Sequence, residues 1–221
     1  MSDKAKILSV SDVTHDVRRF KVEKPEGFEF VPGQATEVAM DRDGWRDEKC
    51  PFTFTSLNDW PELEFIVKIY PDHDGVTEQL GKLQAGDHLL IGQPWGAIRY
   101  KDTGTFIAGG AGVTPFIAII RDLQEKGDLA GNRLIFSNKA ERDIILRSEF
   151  EQAEGLDCLF TVTKQPSSSL ARGMIDKGFL KEHVDDFEQA FYVCGPPKMV
   201  EEISEQLQSL GADSDGITFE D

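Results

Sequence analysis

Two glycine-rich turns in the second half of the chain carry the strongest chemical signal in the sequence. The first turn, Gly109-Gly110-Ala111-Gly112-Val113-Thr114-Pro115, follows a predicted apolar strand at 105–108 and opens a predicted helix. Glycines let a backbone approach phosphate groups closely, and a helix N-terminus supplies free N–H groups and a favourable dipole. The turn is therefore a candidate phosphate-binding site. Because the full GxGxxG pattern is missing, a tight turn that binds nothing stays open as the alternative.

The second turn, Cys194-Gly195-Pro196-Pro197-Lys198-Met199, follows the apolar segment Phe191-Tyr192-Val193 and opens the last predicted helix. Open α/β sheets bind ligands at the carboxyl ends of their parallel strands, which is where both turns would lie. By residue type alone Cys194 is a small buried hydrophobe. Its position at the end of a strand favours contact with a ligand.

The elements that position these turns alternate between strand and helix, which predicts a doubly wound parallel sheet. We predict strands at 105–108, 133–137, 159–163, 191–194 and 216–219, and helices at 115–126, 143–153 and 198–210.

The first half of the chain has a different secondary-structure pattern, with short strands and turn signals about every ten residues, which is typical of an antiparallel β-barrel. We predict strands at 6–14, 17–24, 34–40, 52–56, 63–70 and 88–92. A short helix at 77–83 interrupts them, with Thr77 as its N-cap. The change near Asp102-Thr103-Gly104 from short strands to alternating strands and helices predicts two domains, residues 1–101 and 102–221.

Composition excludes several classes of function. The net charge of −16 disfavours binding to nucleic acid or to an anionic membrane surface. No apolar run approaches ~20 residues, and no apolar leader precedes the first strand, so we expect a cytoplasmic protein with no membrane span. Cys50, Cys158 and Cys194 and the four scattered histidines match no zinc or iron–sulfur spacing, so no metal site is expected. We expect a monomer.

Eight motifs, in order along the chain, resemble the ferredoxin–NADP reductase superfamily, especially its cytochrome b5 reductase-like and flavodoxin reductase-like members that lack an iron–sulfur domain. The motifs are Val31-Pro32-Gly33-Gln34, Pro51-Phe52-Thr53-Phe54-Thr55-Ser56, Val67-Lys68-Ile69-Tyr70, Gly75-Val76-Thr77, Gly86-Asp87, Gln93-Pro94-Trp95-Gly96, Gly109 to Pro115, and Cys194 to Met199. The resemblance implies an FAD-binding β-barrel domain and an NAD(P)-binding α/β domain, with the flavin and nicotinamide rings meeting at the domain interface.

The resemblance also implies roles for individual residues. The flavin would contact Cys50, Pro51, Phe52, Thr53, Lys68, Ile69, Tyr70, Gly75, Val76 and Thr77, and the nicotinamide nucleotide Gly109, Gly110, Gly112, Val113, Thr114, Asn138, Lys139, Cys194, Gly195 and Pro196. Four of the residues would act at the reacting rings. Thr53 would hydrogen-bond near flavin N5, Thr114 and Cys194 would flank the nicotinamide, and Phe219 would cover the flavin. Phe52, Phe54 and Phe219 could instead be core aromatics, and Lys68 a solvated strand residue.

One position departs from the family pattern. The flavin motif of the family begins with an arginine that grips the diphosphate, and this chain has Cys50 there. The departure puts FAD affinity in doubt and leaves FMN as the less favoured alternative. The stretch from Asn138 to Arg147 is similar to that of NADH-using relatives, whereas Lys139 and Arg142 keep NADPH open as the donor.

The sequence therefore predicts an enzyme that passes hydride from NADH or NADPH to bound FAD, and then electrons to an unidentified acceptor, either a protein or a small molecule. Two other functions stay open. One is an NAD(P)H:flavin reductase that releases reduced flavin, with Cys50 weakening retention. The other is a non-catalytic flavin-binding subunit in electron transfer or regulation.

Overall fold

The computed structural model describes residues 2–71, 74–96 and 98–219. It divides into two compact units. The antiparallel unit contains the described residues up to Gly96 together with Thr114–Asp122, and the α/β unit contains the described residues from 98 to Val113 and from Leu123 onward. The grouping of Thr114–Asp122 with the first unit is not visible in the sequence, and the boundary between residues 101 and 102 stays a prediction.

The antiparallel unit contains a six-stranded sheet with the order β4-β3-β6-β1-β2-β5. Its elements are β1 (Asp3–Thr14), β2 (Val17–Glu23), β3 (Ala35–Met40), β4 (Cys50–Thr53), β5 (Glu62–Lys68), β6 (His88–Ile91) and one short helix, α1 (Val76–Leu80). Successive side chains of its strands point to opposite faces, and one face forms the core. On β2, for example, Phe20 and Val22 are buried while Lys21 between them is partly exposed.

The α/β unit contains a six-stranded parallel sheet with the order β10-β9-β8-β7-β11-β12. Its strands are β7 (Gly104–Gly109), β8 (Arg133–Asn138), β9 (Asp157–Val162), β10 (Ala171–Arg172), β11 (Ala190–Cys194) and β12 (Ile217–Phe219). The helices that follow its strands are α2 (Thr114–Lys126), whose residues 114–122 group with the antiparallel unit, α3 (Arg147–Gln152), α4 (Lys177–His183) and α5 (Pro197–Ser209). Strand β7 is buried throughout, as expected of a central parallel strand. The predicted fold class is confirmed.

The strand order places a topological switch point beside β7. From β7 the chain adds β8, β9 and β10 on one side, and then returns to the other side of β7 to add β11 and β12. Ligands of open α/β sheets bind at the carboxyl ends of the two strands where the order reverses. Those strands are β7 and β11, and the glycine-rich turns follow them directly.

Several local predictions are wrong. The predicted helix at 143–153 is a 3₁₀ turn at Glu141–Asp143 followed by α3, because Leu146 adopts a left-handed φ of 52° that separates them. Thr77 is not an N-cap, since Gly75 holds that position. Strand β4 lies earlier than the predicted 52–56.

The sequence also missed two elements. Strand β10 is only two residues long, which is too short for a periodic pattern. Helix α4 is also short, and it begins where the Asp176 carboxylate accepts a hydrogen bond of 2.8 Å from the Phe179 amide.

Candidate nucleotide-binding sites

Strand β4 presents the flavin motif on the edge of its sheet. It pairs with β3, with Cys50 opposite Val38 and Phe52 opposite Thr36. Cys50 and Phe52 are both half-buried and pack against the core of the antiparallel unit, so they share one face of the strand. The Phe52 ring therefore contributes to the core and still keeps a partly exposed surface.

The position of the family arginine carries no charge in this chain. Burial, together with the neighbouring Glu48 carboxylate, raises the pKa of Cys50, so its side chain is a neutral thiol at pH 7. The adjacent Lys49 is directed elsewhere, with its Nζ atom 3.6 Å from Glu37 Oε2. Neither residue supplies the bidentate grip of a guanidinium.

Lys68, at the end of β5, forms an ion pair. Its Nζ atom lies 2.6 Å from Asp16 Oδ2. Burial acts to raise the pKa of Asp16, but hydrogen bonds from Lys68 and Thr14 outweigh it and hold the pKa below its usual value. Asp16 thus holds the Lys68 ammonium in place. The next two residues differ in exposure, since Ile69 packs against the core and Tyr70 is exposed.

Helix α1 begins without a side-chain cap. Its N-cap, Gly75, has extended backbone and offers no side-chain acceptor to the first turn. First-turn amides have no partner within their own helix, so those of Val76 and Thr77 can serve an external acceptor. This fits the role expected of Gly75-Val76-Thr77 at a flavin diphosphate.

The two glycine-rich turns of the α/β unit lie directly against each other. A Cβ atom on Gly112 would be 2.6 Å from both the Cys194 carbonyl carbon and Gly195 Cα, and one on Gly109 would be 3.1 Å from Pro196 Cδ. Glycine is therefore needed at 112 for packing, even before any phosphate is considered, whereas at 109 an added Cβ atom would press mainly on the flexible Met199 side chain.

Gly110 differs from its neighbours. It has a left-handed φ of 53°, and a Cβ atom added there would meet nothing within 4 Å. The backbone of the turn is therefore open on this side, and a ligand can approach it closely. Val113 is buried below the turn, and α2 begins at Thr114.

The end of β8 holds a buried polar group without a partner. The Asn138 side chain is 5% exposed, and its Nδ2 atom has no hydrogen-bond acceptor. An unsatisfied buried donor costs ~1–3 kcal/mol, so this amide is poised for an acceptor on a ligand. Asn138 lies at the carboxyl end of its strand, on the same edge of the sheet as the glycine-rich turns.

Two lysines whose backbones are hydrogen-bonded follow the ends of β8 and β9, close to Asn138, and sequence reasoning identified only one of them. The Lys164 amide donates a hydrogen bond of 2.8 Å to the Lys139 carbonyl, which brings the ends of β8 and β9 together. The pairing of β8 with β9 was implied by the predicted sheet, but its register was not. Arg142, which kept NADPH open, has a side chain that is 77% exposed.

Glu141 organises the loop after β9, and sequence reasoning missed it. Its carboxylate accepts hydrogen bonds from Ser168 Oγ at 2.6 Å and Gln165 Nε2 at 3.2 Å, and pairs with Arg147 at 3.0 Å. The hydrogen bonds from Ser168 and Arg147 lower the pKa of Glu141. Because protein groups already occupy this carboxylate, it is a poor partner for a ribose hydroxyl.

Phe219 lies on the last strand, beside the second turn. Strand β12 pairs with β11, with Phe219 opposite Val193, the residue before Cys194. The Phe219 side chain is 44% exposed, so its position is compatible with contact to a ligand at this edge. Its role over the flavin stays a prediction.

Neither a metal cluster nor a membrane-spanning helix is present in residues 2–71, 74–96 and 98–219. No group of three or more His, Cys, Asp or Glu side chains there could hold a metal ion. None of the helices in these segments is both long enough and apolar enough to cross a bilayer.

Comparison with known proteins identifies the family. Residues 4–100 match the family model described as "Oxidoreductase FAD-binding domain", and residues 106–205 match "Oxidoreductase NAD-binding domain". The chain is 32% identical to NADH-cytochrome b5 reductase 2 of Mycosarcoma maydis, an alignment that covers 90% of this chain and 63% of that protein. It is 30% identical to NADH-cytochrome b5 reductase 1 of Aspergillus terreus, over 91% of this chain and 75% of that protein.

A solved structure shows the same fold. The FAD/NAD-binding domain of nitric oxide dioxygenase from Vibrio cholerae superposes with a TM-score of 0.88 and 20% identity, over 98% of this chain and 97% of that one. The orphaned Asn138 amide, the open backbone at Gly110 and the uncapped start of α1 fit the two nucleotides that these domain families bind. The chain therefore belongs to the ferredoxin–NADP reductase superfamily of FAD- and NAD(P)-binding oxidoreductases, among its cytochrome b5 reductase-like members.

Proposed function

We propose that this protein takes hydride from NADH onto bound FAD and passes the electrons to an acceptor protein. The observation that supports this most is the packing of the two glycine-rich turns against each other at the switch point between β7 and β11. When bound, FAD supplies the step from a two-electron donor to an electron acceptor. The protein's own residues bind and orient the reactants.

Hydride transfer needs no metal and no acid–base pair, but it needs close and well-oriented rings and the exclusion of water. In this proposal the Thr53 hydroxyl hydrogen-bonds near flavin N5, and Thr114 and Cys194 flank the nicotinamide. The Asn138 amide donates to the bound nucleotide. Small side chains and hydroxyl groups suit such a site, because they leave room for two stacked rings.

NADH is the proposed donor, and a b-type cytochrome is the proposed acceptor, since both appear in the names of the relatives. Lys139 and Lys164, joined by a backbone hydrogen bond, place two cationic residues at the ends of β8 and β9, and this charge favours NADPH, with its extra phosphate, as the alternative donor. Stopped-flow reduction with NADH and with NADPH measures this preference. Mixing the reduced protein with cytochrome b5, a ferredoxin or a flavodoxin then identifies the acceptor.

The neutral thiol at Cys50 favours a second candidate, a flavin reductase that releases its product. Visible absorbance after desalting separates the two functions, because a reductase that retains FAD stays yellow. Loss of flavin on desalting, together with NADH-dependent reduction of flavin that is added back, supports the second candidate. Flavin that stays bound and is not bleached by NADH under argon would contradict both and indicate a binding module.

Cys50→Arg is expected to tighten FAD binding about 10- to 100-fold, because a charge-assisted hydrogen bond to the diphosphate adds roughly 1.5–3 kcal/mol. Equilibrium titration of the apoprotein with FAD measures the change. Cys50→Ala is the matched control, and it should bind FAD like the unmodified chain. Equal FAD affinity in the unmodified chain, Cys50→Arg and Cys50→Ala would show that the residue at position 50 does not contact the diphosphate.

Phe219→Ala is expected to expose the flavin, shift its visible spectrum and raise oxygen consumption by the reduced protein. A covering ring shields a reduced flavin from solvent, so its removal opens a path for oxygen. If Phe219 only packs on the sheet, thermal stability will fall while the spectrum and the oxidase rate stay the same. Absorbance, oxygen uptake and a melting curve on the same sample distinguish the two results.

A further inference from the structure

A buried ion pair outside the predicted site connects strand β5 to the part of helix α2, residues 114–122, that groups with the antiparallel unit. Arg121 Nη1 lies 2.8 Å from Glu64 Oε1 on β5 and donates a hydrogen bond of 2.6 Å to the Thr55 carbonyl. The Glu64 side chain is 2% exposed and that of Arg121 is 12% exposed. No predicted role in flavin or nicotinamide binding accounts for these two charges.

Further polar and aromatic groups surround the pair, although Arg19 Nε among them is buried without a hydrogen-bond partner. Thr55 Oγ1 donates to Glu64 Oε1 at 2.8 Å, and Arg19 Nε lies 3.4 Å from Glu64 Oε2. The Arg121 guanidinium also stacks over the Trp60 ring, 5.2 Å from its centroid. Burying two charges is expensive even when they are paired, so such a network is weak evidence for stability, and a role in fixing geometry is a hypothesis to be tested.

The network connects two residues of the proposed site through short, stiff segments. Thr55 follows Thr53, the proposed partner of flavin N5, by two residues. Arg121 follows Thr114, the proposed nicotinamide contact, by seven residues of one helix, which is about 10 Å along its axis. Thr53, Thr55, Thr114 and Arg121 all belong to the antiparallel unit.

We propose that Arg121 is a positioning residue for hydride transfer, acting through Glu64 and Thr55 to fix Thr114 relative to Thr53. This inference rests on the proposed function. Hydride transfer depends steeply on the placement of the reactants, and a displacement of about 1 Å can lower a rate by ~100-fold. Loosening the helix should therefore slow the chemical step more than it weakens nucleotide binding.

The test compares Arg121→Met and Arg121→Lys with the unmodified flavoprotein by stopped-flow reduction over a range of NADH concentrations. Arg121→Met should lower the limiting rate by at least about 10-fold with little change in the half-saturating concentration or in FAD content. Arg121→Lys, which keeps the charge, should restore part of the rate. Hydrogen exchange of the α2 amides should be faster in Arg121→Met, and this readout does not depend on activity.

Arg133→Met is the matched control. It removes the ion pair between Arg133 and Asp157, 2.6 Å apart at the start of β8, and should leave the limiting rate unchanged. If Arg121→Met fails to fold, Glu64→Gln removes the same ion pair with little change in shape, and its limiting rate should fall similarly.

A normal limiting rate in the folded Arg121 or Glu64 variant would overturn the positioning role while the proposed function stands. Failure of NADH to reduce the unmodified protein would instead overturn the proposed function, and this inference with it.

Discussion

Replacing Gly112 by alanine is expected to reduce the rate of flavin reduction by NADH more than 100-fold, while the protein keeps its FAD. The added Cβ atom would lie 2.6 Å from the Cys194 carbonyl carbon and from Gly195 Cα, and both are backbone atoms. Backbone cannot rotate away as a side chain can, so one turn must shift. A shift on the order of 1 Å at the reacting ring is enough for a loss of this size.

Stopped-flow reduction of Gly112→Ala and of a control variant at the far end of helix α2 measures this effect. Gly127 caps that helix with φ of 76°, and a Cβ atom there meets nothing within 4 Å. Gly127→Ala should therefore cost roughly 1 kcal/mol of stability and leave the rate of reduction intact. If Gly112→Ala reduces its flavin at the normal rate, the two turns do not form the nicotinamide site.

Cys194→Ser is expected to slow flavin reduction on the order of 10- to 100-fold with a small effect on NADH binding. The turn that binds the nucleotide keeps its backbone in this variant, whereas the side chain proposed to flank the nicotinamide becomes smaller and more strongly hydrated. An interaction made mainly in the transition state affects the limiting rate rather than the affinity. The dependence of the reduction rate on NADH concentration separates an effect on the limiting rate from an effect on the affinity for NADH.

Cys158→Ser is the matched control for this change of sulfur to oxygen. Cys158 lies on β9, where its thiol contacts the Phe150 carbonyl at 3.5 Å and burial raises its pKa to about 12. It should keep the normal limiting rate. A fall in NADH affinity at an intact limiting rate for Cys194→Ser would place Cys194 in the packing of the turn instead.

The sequence predicted best those features that short local patterns specify. A few consecutive residues are enough to predict each of three features: the apolar strand that ends at Gly109, the proline near the start of α2 and the strand that ends at Cys194. The fold class was predicted from the alternation of strands and helices, and the two turns were predicted from their glycines. The structure adds the packing reason for Gly112, which depends on contact with a turn far along the chain.

Features that depend on long-range contacts were not predictable. Thr55 and Ser56 belong to the flavin motif, yet both are fully buried and hydrogen-bonded to Glu64. The partner of Glu64, Arg121, is 57 residues away, and no local pattern marks the pair. For the same reason, Lys164 became a neighbour of Lys139 only once the register of β8 and β9 was known.

Anaerobic addition of NADH to the purified protein tests whether this chain is an NADH-reduced flavoprotein. We expect a yellow protein that releases FAD on denaturation, and whose visible absorbance is bleached by NADH under argon and returns when an acceptor is added. A colourless protein that does not bind added flavin, or a bound flavin that NADH leaves unbleached, would contradict this expectation.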